Sequence, residues 1–230
     1  MSFDPVQLGT QDEPVRRFFG HAIAAGASLA PAVRLRMKGR VKADLWLPFA
    51  AEEEIDGRSF DWRARVGLGP LTVLRIEDRF ARGVGSSEGL VFGRAQLFAS
   101  ADEDTARSGA GRAALESVAF APVSVLPERG VAWRAESDEL LVARFDLPPE
   151  RPEVEVRIDA NGAVRSLSAS RWGPTEDESG YEYIPCGCHV HDERRFGELT
   201  IPSRLTVSWR FGTPRERPFF KTEITALERA

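Results

Sequence analysis

Cysteines and long apolar runs are scarce in this sequence, and each absence excludes a class of protein. The 230 residues include two cysteines, too few for a disulfide framework. No apolar run approaches the roughly 20 residues of a membrane-spanning helix, so we expect no membrane span. Residues 1–9 show neither the basic start nor the apolar stretch of a signal peptide. We therefore expect a cytoplasmic protein.

Lysine is nearly absent as well, and arginine supplies almost all of the positive charge. Lys38, Lys42 and Lys221 are the only lysines, and the net charge of −4 argues against a nucleic-acid partner. The sequence lacks a Gly-x-Ser-x-Gly nucleophile motif, a Walker loop and a dinucleotide-binding fingerprint. The glycines between residues 83 and 89 have no strand–loop–helix context and predict a hairpin connection. We expect no cofactor.

A long period-two pattern near the C-terminus is the clearest feature that the sequence does contain. Its apolar positions are Leu199, Ile201, Leu205, Val207, Trp209 and Phe211. Ser203 is the one polar residue on that side, and polar residues occupy most of the other. Because successive side chains of a strand point to opposite faces, this pattern predicts one long strand with one buried face. A strand of this kind requires a broad sheet beside it.

Shorter alternating segments recur along the chain and predict the rest of that sheet. They lie near residues 33–38, 45–55, 60–66, 71–80, 90–99, 131–135, 140–147 and 154–158. The content of hydrophobic residues, 42 %, suffices for a sizeable core. We predict a mainly β (α+β) fold, with a single curved antiparallel sheet or half-barrel, as one domain over residues 1–230.

Two helices are predicted beside the sheet. The first starts at Thr10 or Asp12 and ends at Gly26, with an apolar stripe at helical spacing that indicates packing on the sheet. The second is an interior helix over about residues 101–118, with Ser100 and Glu103 as a capping box. Alanines and glycines fill its middle, which indicates either close packing on the sheet or room for a ligand.

Cys186, Cys188, His189 and His191 are the tightest cluster of reactive side chains. A strand places the two cysteines on one face and the two histidines on the other, whereas a tetrahedral metal site needs four converging ligands. We expect buried free thiols, outward histidines and no metal. Tyr181 and Tyr183 share the parity of the histidines, but Pro185 or Gly187 can introduce a bulge that changes the face.

Aromatic and charged side chains provide the candidate pocket. Several tryptophans on one concave face would shape an amphipathic site, although five tryptophans in a large β core are also ordinary. Arg112 and Glu116 lie one helical turn apart, either as a surface ion pair or facing the sheet together. The candidate ligand-pocket residues are Trp62, Arg112, Glu116, Trp172, Tyr181, Tyr183 and Trp209.

Several short segments together resemble an uncharacterised bacterial domain-of-unknown-function family that is common in actinobacteria. The matching segments include residues 17–23, 35–39, 46–52, 60–64, 108–117, 171–173, 193–197, 201–204 and 211–213. One departure is Ile184-Pro-Cys-Gly-Cys188, where relatives tend to have a His-Pro-Phe-Gly-Gly type of segment. The resemblance implies no mechanism. At the level of fold, the strand count and central helix are similar to lipoprotein-carrier half-barrels.

Three functions are compatible with these features. The first is a module that binds an apolar or amphipathic small molecule in the concavity of the sheet. The second is a non-redox enzyme, such as an isomerase or cyclase, that acts on an apolar metabolite through one or two acid–base groups. The third is an interaction protein with a fully packed, pocket-free core. A homodimer through edge strands or an apolar patch belongs to the third hypothesis.

Overall fold

The alternating segments of the sequence form one antiparallel sheet of thirteen strands in a computed structural model that describes residues 2–68, 71–177 and 179–230. The strands are β1 (Val33–Lys42), β2 (Trp46–Ile55), β3 (Phe60–Leu68), β4 (Leu71–Ala81), β5 (Val84–Val91), β6 (Ala95–Ser100), β7 (Ala132–Ala135), β8 (Leu140–Arg144), β9 (Glu153–Ile158), β10 (Val164–Pro174), β11 (Tyr181–Phe196), β12 (Leu199–Trp209) and β13 (Arg217–Arg229). The prediction of a mainly β fold is confirmed.

The strand order shows how the two halves of the chain join. It runs β6-β5-β4-β3-β2-β1-β13-β12-β11-β10-β9-β8-β7, so the last strand pairs with the first, and β6 and β7 form the two edges. The interior helix α2 (Glu103–Phe120) contacts both β5 and β10, which lie eight places apart in this order. The sheet must therefore curve around α2, without closing.

The N-terminal helix α1 (Glu13–Ala22) covers another part of the sheet. Phe18 and Phe19 are fully buried, and their ring centroids each lie 5.2 Å from that of Trp133. The helix ends four residues before the predicted Gly26, because Ile23 has an extended backbone and forms a bridge with Leu199. No helix within the described residues is long and apolar enough to cross a membrane.

Helix α2 begins and ends two residues later than predicted, and its cap differs from the predicted capping box. Asp102 is the N-cap, and its Oδ1 accepts a hydrogen bond from the backbone N of Thr105. The glycines serve close packing: a Cβ added to Gly109 would lie 2.9 Å from Cδ2 of Phe80, and one added to Gly111 would lie 2.9 Å from Cγ of Arg171. A larger side chain at either position would require Phe80 or Arg171 to shift.

Turns with positive φ correct two strand predictions. The predicted strand at residues 90–99 is divided between β5 and β6, because Phe92 and Gly93 adopt φ of 49° and 66°. The long C-terminal strand ends at Trp209, since Arg210 has φ of 55°, and Phe211 therefore lies outside β12. Ser203 is buried, as its position on the apolar side of the alternating pattern predicts.

Candidate ligand-binding cavity

A cavity of about 350 Å³ lies between α2 and the concave face of the sheet. Its wall is mostly apolar, with contributions from both halves of the chain. The apolar lining residues are Met37, Val41, Ile76, Phe98, Leu115, Ala119, Phe120, Leu167, Leu205, Val207, Phe219 and Phe220. Alternation along each strand explains this wall, since one side chain in two points toward the helix. The cavity disagrees with the hypothesis of a pocket-free core.

Two acidic residues enter the wall at positions where the alternation would place apolar ones. On β2, Glu53 follows Phe49 and Ala51 on the buried face. On β4, Asp78 follows Leu74 and Ile76 on the face toward the core. Neither residue is among the pocket candidates predicted from the sequence. The signal that could have identified them is a charged residue at a strand position where the alternating pattern calls for an apolar one.

Helix α2 supplies the basic centre of this acidic group. Arg112 donates from Nε to Oε1 of Glu116 at 2.8 Å and from Nη1 to Oδ2 of Asp78 at 2.7 Å. Its Nη2 lies 3.6 Å from Oε1 of Glu53, close enough for charge attraction but not a hydrogen bond. The guanidinium also lies 5.1 Å from the ring centroid of Trp62. Arg112 and Glu116 therefore face the sheet together, and they are not a surface ion pair.

Glu53 is the least satisfied member of the group. It is 1 % exposed, and no N–H or hydroxyl group within the described residues donates to either carboxyl oxygen. Its hydrogen bond with the Glu116 carboxyl requires a proton on one of the two groups. Burial, and then the charge of Glu116, raise the pKa of the Glu53 carboxyl well above its ordinary value, although Arg112 opposes the shift. Burial lowers the pKa of Arg112, but Glu116, Asp78 and Glu53 together outweigh burial and raise it. The guanidinium stays charged, while Glu53 favours its neutral form.

The thiols lie in the same wall, as the parity argument predicted. Cys186 and Cys188 are buried and free, and burial raises the pKa of both, to about 12 for Cys188. His189 and His191 lie on the opposite face, where their Nε2 atoms contact Glu216 at 3.0 Å and a threonine hydroxyl at 2.9 Å. Within the described residues, no three His, Cys, Asp or Glu side chains converge as metal ligands do.

The strand that carries the thiols keeps an unbroken register beside β10. Pairing runs from Ser166 with His189 to Pro174 with Tyr181, without a bulge at Pro185 or Gly187. Gly187 is needed for close approach, because a Cβ there would lie 2.4 Å from the carbonyl oxygen of Leu167. Tyr181 and Tyr183 thus stay on the face of the histidines.

Four of the seven candidate pocket residues line the cavity: Trp62, Arg112, Glu116 and Trp209. Three do not: Trp172, Tyr181 and Tyr183. These three form an aromatic cluster with Arg107, whose guanidinium lies 3.5 Å from the ring centroid of Trp172. The two tyrosines are 42 % and 51 % exposed. On β11 the two tyrosines alternate with the cavity-lining thiols and therefore point away from the cavity. The sequence alone left their face undecided.

One family model matches most of the chain. A model described as a family of unknown function (DUF6920) matches residues 12–228, in agreement with the resemblance inferred from the sequence. No curated protein matches the chain.

Two solved structures are similar to the chain. One is a putative outer membrane lipoprotein-sorting protein domain from Vibrio parahaemolyticus, with 7 % sequence identity and a TM-score of 0.48, covering 97 % of this chain and 91 % of that chain. The other is a DUF1329 family protein from Desulfovibrio piger, with 10 % identity and a TM-score of 0.43, covering 99 % of this chain and 94 % of that chain. These likenesses carry no argument about function.

Proposed function

We propose that this chain, which belongs to the DUF6920 family of unknown function, binds an apolar or amphipathic small molecule between α2 and the sheet. The observation that carries this proposal is the cavity of about 350 Å³ with its largely apolar wall. Ligand cavities in proteins usually measure about 300–1,000 Å³ and combine apolar walls with a few polar groups. An apolar ligand that fills such a cavity removes its own surface from water.

The polar groups of the cavity are gathered in one place, which favours an amphipathic ligand. Glu53, Asp78, Arg112 and Glu116 contact one another near one part of the wall. Apolar side chains make up most of the remainder. A ligand with an apolar body and one polar end therefore matches the distribution of polarity. The arrangement supports one preferred orientation of the bound molecule.

A matched pair of variants on β12 tests this proposal. Val207 lines the cavity, whereas Thr206 points to the other face and bonds to His191. The probe is N-phenyl-1-naphthylamine, a neutral dye whose fluorescence rises in apolar surroundings. We expect saturable binding to the wild-type protein, at least about tenfold weaker binding to V207F because the ring fills the space, and unchanged binding to T206F.

Thermal unfolding of all three proteins controls for loss of the fold. The proposal fails if the folded wild-type protein shows no saturable binding. It also fails if a folded V207F binds the dye as tightly as T206F does. The second result would place the bound dye outside the cavity.

The buried Glu53 favours a second candidate function, a non-redox enzyme that acts on an apolar metabolite. A carboxyl whose pKa is raised by burial is suited to proton transfer near neutral pH, and Glu53 lies in the cavity wall. Small molecules that co-purify with E53Q would be extracted and incubated with the wild-type protein. Conversion into an isomer of equal mass supports this function, and recovery of unchanged molecules counts against it.

A further inference from the structure

We infer that the ligand of this cavity carries a basic amine at its polar end, and that its ammonium group pairs with the carboxylate of Glu53. This inference rests on the proposed function, because it specifies the chemistry of the molecule that the cavity would hold. The supporting observations are the balance of charge in the wall and the supply of hydrogen-bond donors there. Both are properties of a few named side chains.

The six carboxylate oxygens of Glu53, Asp78 and Glu116 outnumber the donors that bond to them, which are Nε and Nη1 of Arg112 and the hydroxyl of Ser87. Three carboxylates surround Arg112, whose Nε and Nη1 are already used by Glu116 and Asp78. Glu53 is left at 3.6 Å from the guanidinium, and both of its oxygens are buried with no N–H or hydroxyl donor in the described part of the chain. Oε2 of Glu116 is also buried without a partner within the described residues. A protonated Glu53 bonds to Glu116, but once Glu53 is ionised these three oxygens lack donors, and an ammonium group supplies three N–H donors and accepts none.

The other polar groups of the wall do not fill this need. The guanidinium of Arg171 donates to the carbonyl and hydroxyl oxygens of Ser108, and its Nη1 lies 4.0 Å from Sγ of Cys186. The two thiols in the wall remain neutral near pH 7, since burial raises their pKa. The indole Nε1 of Trp62 is a buried donor without a partner in the described structure. It can serve a hydroxyl or carbonyl elsewhere on the ligand.

The formal charges of the cavity wall also favour an ammonium group on the ligand. When Glu53 is ionised, three carboxylates face two guanidinium groups, Arg112 and Arg171, which leaves one net negative charge. Without a ligand, a proton on Glu53 removes that charge. When an ammonium group binds, Glu53 releases this proton to the solvent and its carboxylate pairs with the ammonium group. A carboxylate ligand would instead add an unpaired negative charge in a buried place, at a high cost in free energy.

Three probes with the same eight-carbon chain test the inference: octylamine, 1-octanol and octanoate. Isothermal titration calorimetry of the wild-type protein is expected to show octylamine as the tightest of the three. In buffers with different ionisation enthalpies, octylamine is expected to release up to about one proton per molecule bound. Its affinity should rise with pH between about pH 5 and about pH 8, because an alkylammonium group stays charged to about pH 10 and its binding displaces the proton that the raised pKa of Glu53 retains.

A matched pair of variants on β2 locates the effect. E53Q keeps the shape of the side chain and removes its charge, while E52Q changes an exposed carboxylate on the opposite face of the same strand. We expect octylamine to bind E53Q at least about tenfold more weakly than the wild type and without proton release. Binding to E52Q should match the wild type, and binding of 1-octanol should be similar in all three proteins.

The outcomes separate this inference from the proposed function. If 1-octanol or octanoate binds as tightly as octylamine, or if E53Q leaves octylamine binding unchanged, the amine inference is overturned and the proposal of an apolar ligand stands. If none of the three probes binds while the naphthylamine dye does, the inference is likewise overturned. If neither the dye nor any probe binds, both proposals fail.

Discussion

Substitution of Glu53 by Gln should change how the stability of the protein depends on pH. The pKa of the Glu53 carboxyl is raised by burial, so the folded chain keeps a proton on it at pH values where the unfolded chain has lost it. The folded state then binds more protons than the unfolded state. The free energy of unfolding contributed by this group is therefore full below the ordinary glutamate pKa, and it is lost as pH rises through the raised one.

The magnitude of this effect follows from one proton at one buried group. Glu53 is 1 % exposed, it receives no hydrogen bond from an N–H or hydroxyl group of the described residues, and the guanidinium of Arg112 lies 3.6 Å away. A single extra proton changes the free energy of unfolding by about 1.4 kcal/mol per pH unit between the two pKa values. Gln does not titrate. Relative to E53Q, the wild-type protein should thus lose up to about 1.4 kcal/mol per pH unit above about pH 4.5.

Urea unfolding, followed by tryptophan fluorescence at intervals between about pH 5 and about pH 8, measures this difference. The upper limit stays below the titration of Cys186 and Cys188, whose thiol pKa values are raised. E52Q is the matched control, because Glu52 lies on the exposed face of β2. A constant difference between E53Q and the wild type over this range would refute the reasoning, as would an equal pH dependence in E52Q.

Two further predictions concern the helices, and urea unfolding measures both. D102A should lose about 1 kcal/mol, because Oδ1 of Asp102 caps α2 through the backbone N of Thr105; unchanged stability would show that this cap is not needed. G20A should stabilise the protein by up to about 1 kcal/mol, since a Cβ at this position of α1 meets nothing within 4 Å. G109A should instead destabilise the protein by about 1 kcal/mol or more, because the added Cβ would press on Phe80. Equal effects of the two glycine substitutions would contradict the packing argument.

Much of the sheet could be predicted from alternation, because the side-chain period of a strand is a local property of the backbone. Phe60, Trp62, Ala64 and Val66 share one parity, and all four are buried. Element ends were predicted less well. Helix α1 ends at Ala22 because the chain becomes extended to pair with a strand far along the sequence, which no local signal encodes.

The candidate site was predicted only in part, because the pairing of distant strands is not encoded by local signals. Trp62 and Trp209 were expected on a concave face and lie in the cavity wall. Trp172 is an aromatic residue of the same type, but it lies with Arg107 outside the cavity. The sequence showed which residues are tryptophans, but the register of β10 with β11 decided on which face of the sheet Trp172 lies.

Alternation, helical spacing and turn residues by themselves determined that this chain forms an antiparallel sheet with an N-terminal and an interior helix, and that its thiols and histidines lie on opposite faces. These properties depend on the geometry of neighbouring residues. The tertiary structure alone decided that Glu53 and Asp78 meet Arg112, because curvature brings β2, β4 and α2 together. It also decided that a cavity remains between them, since the space depends on how side chains from distant strands pack against the helix.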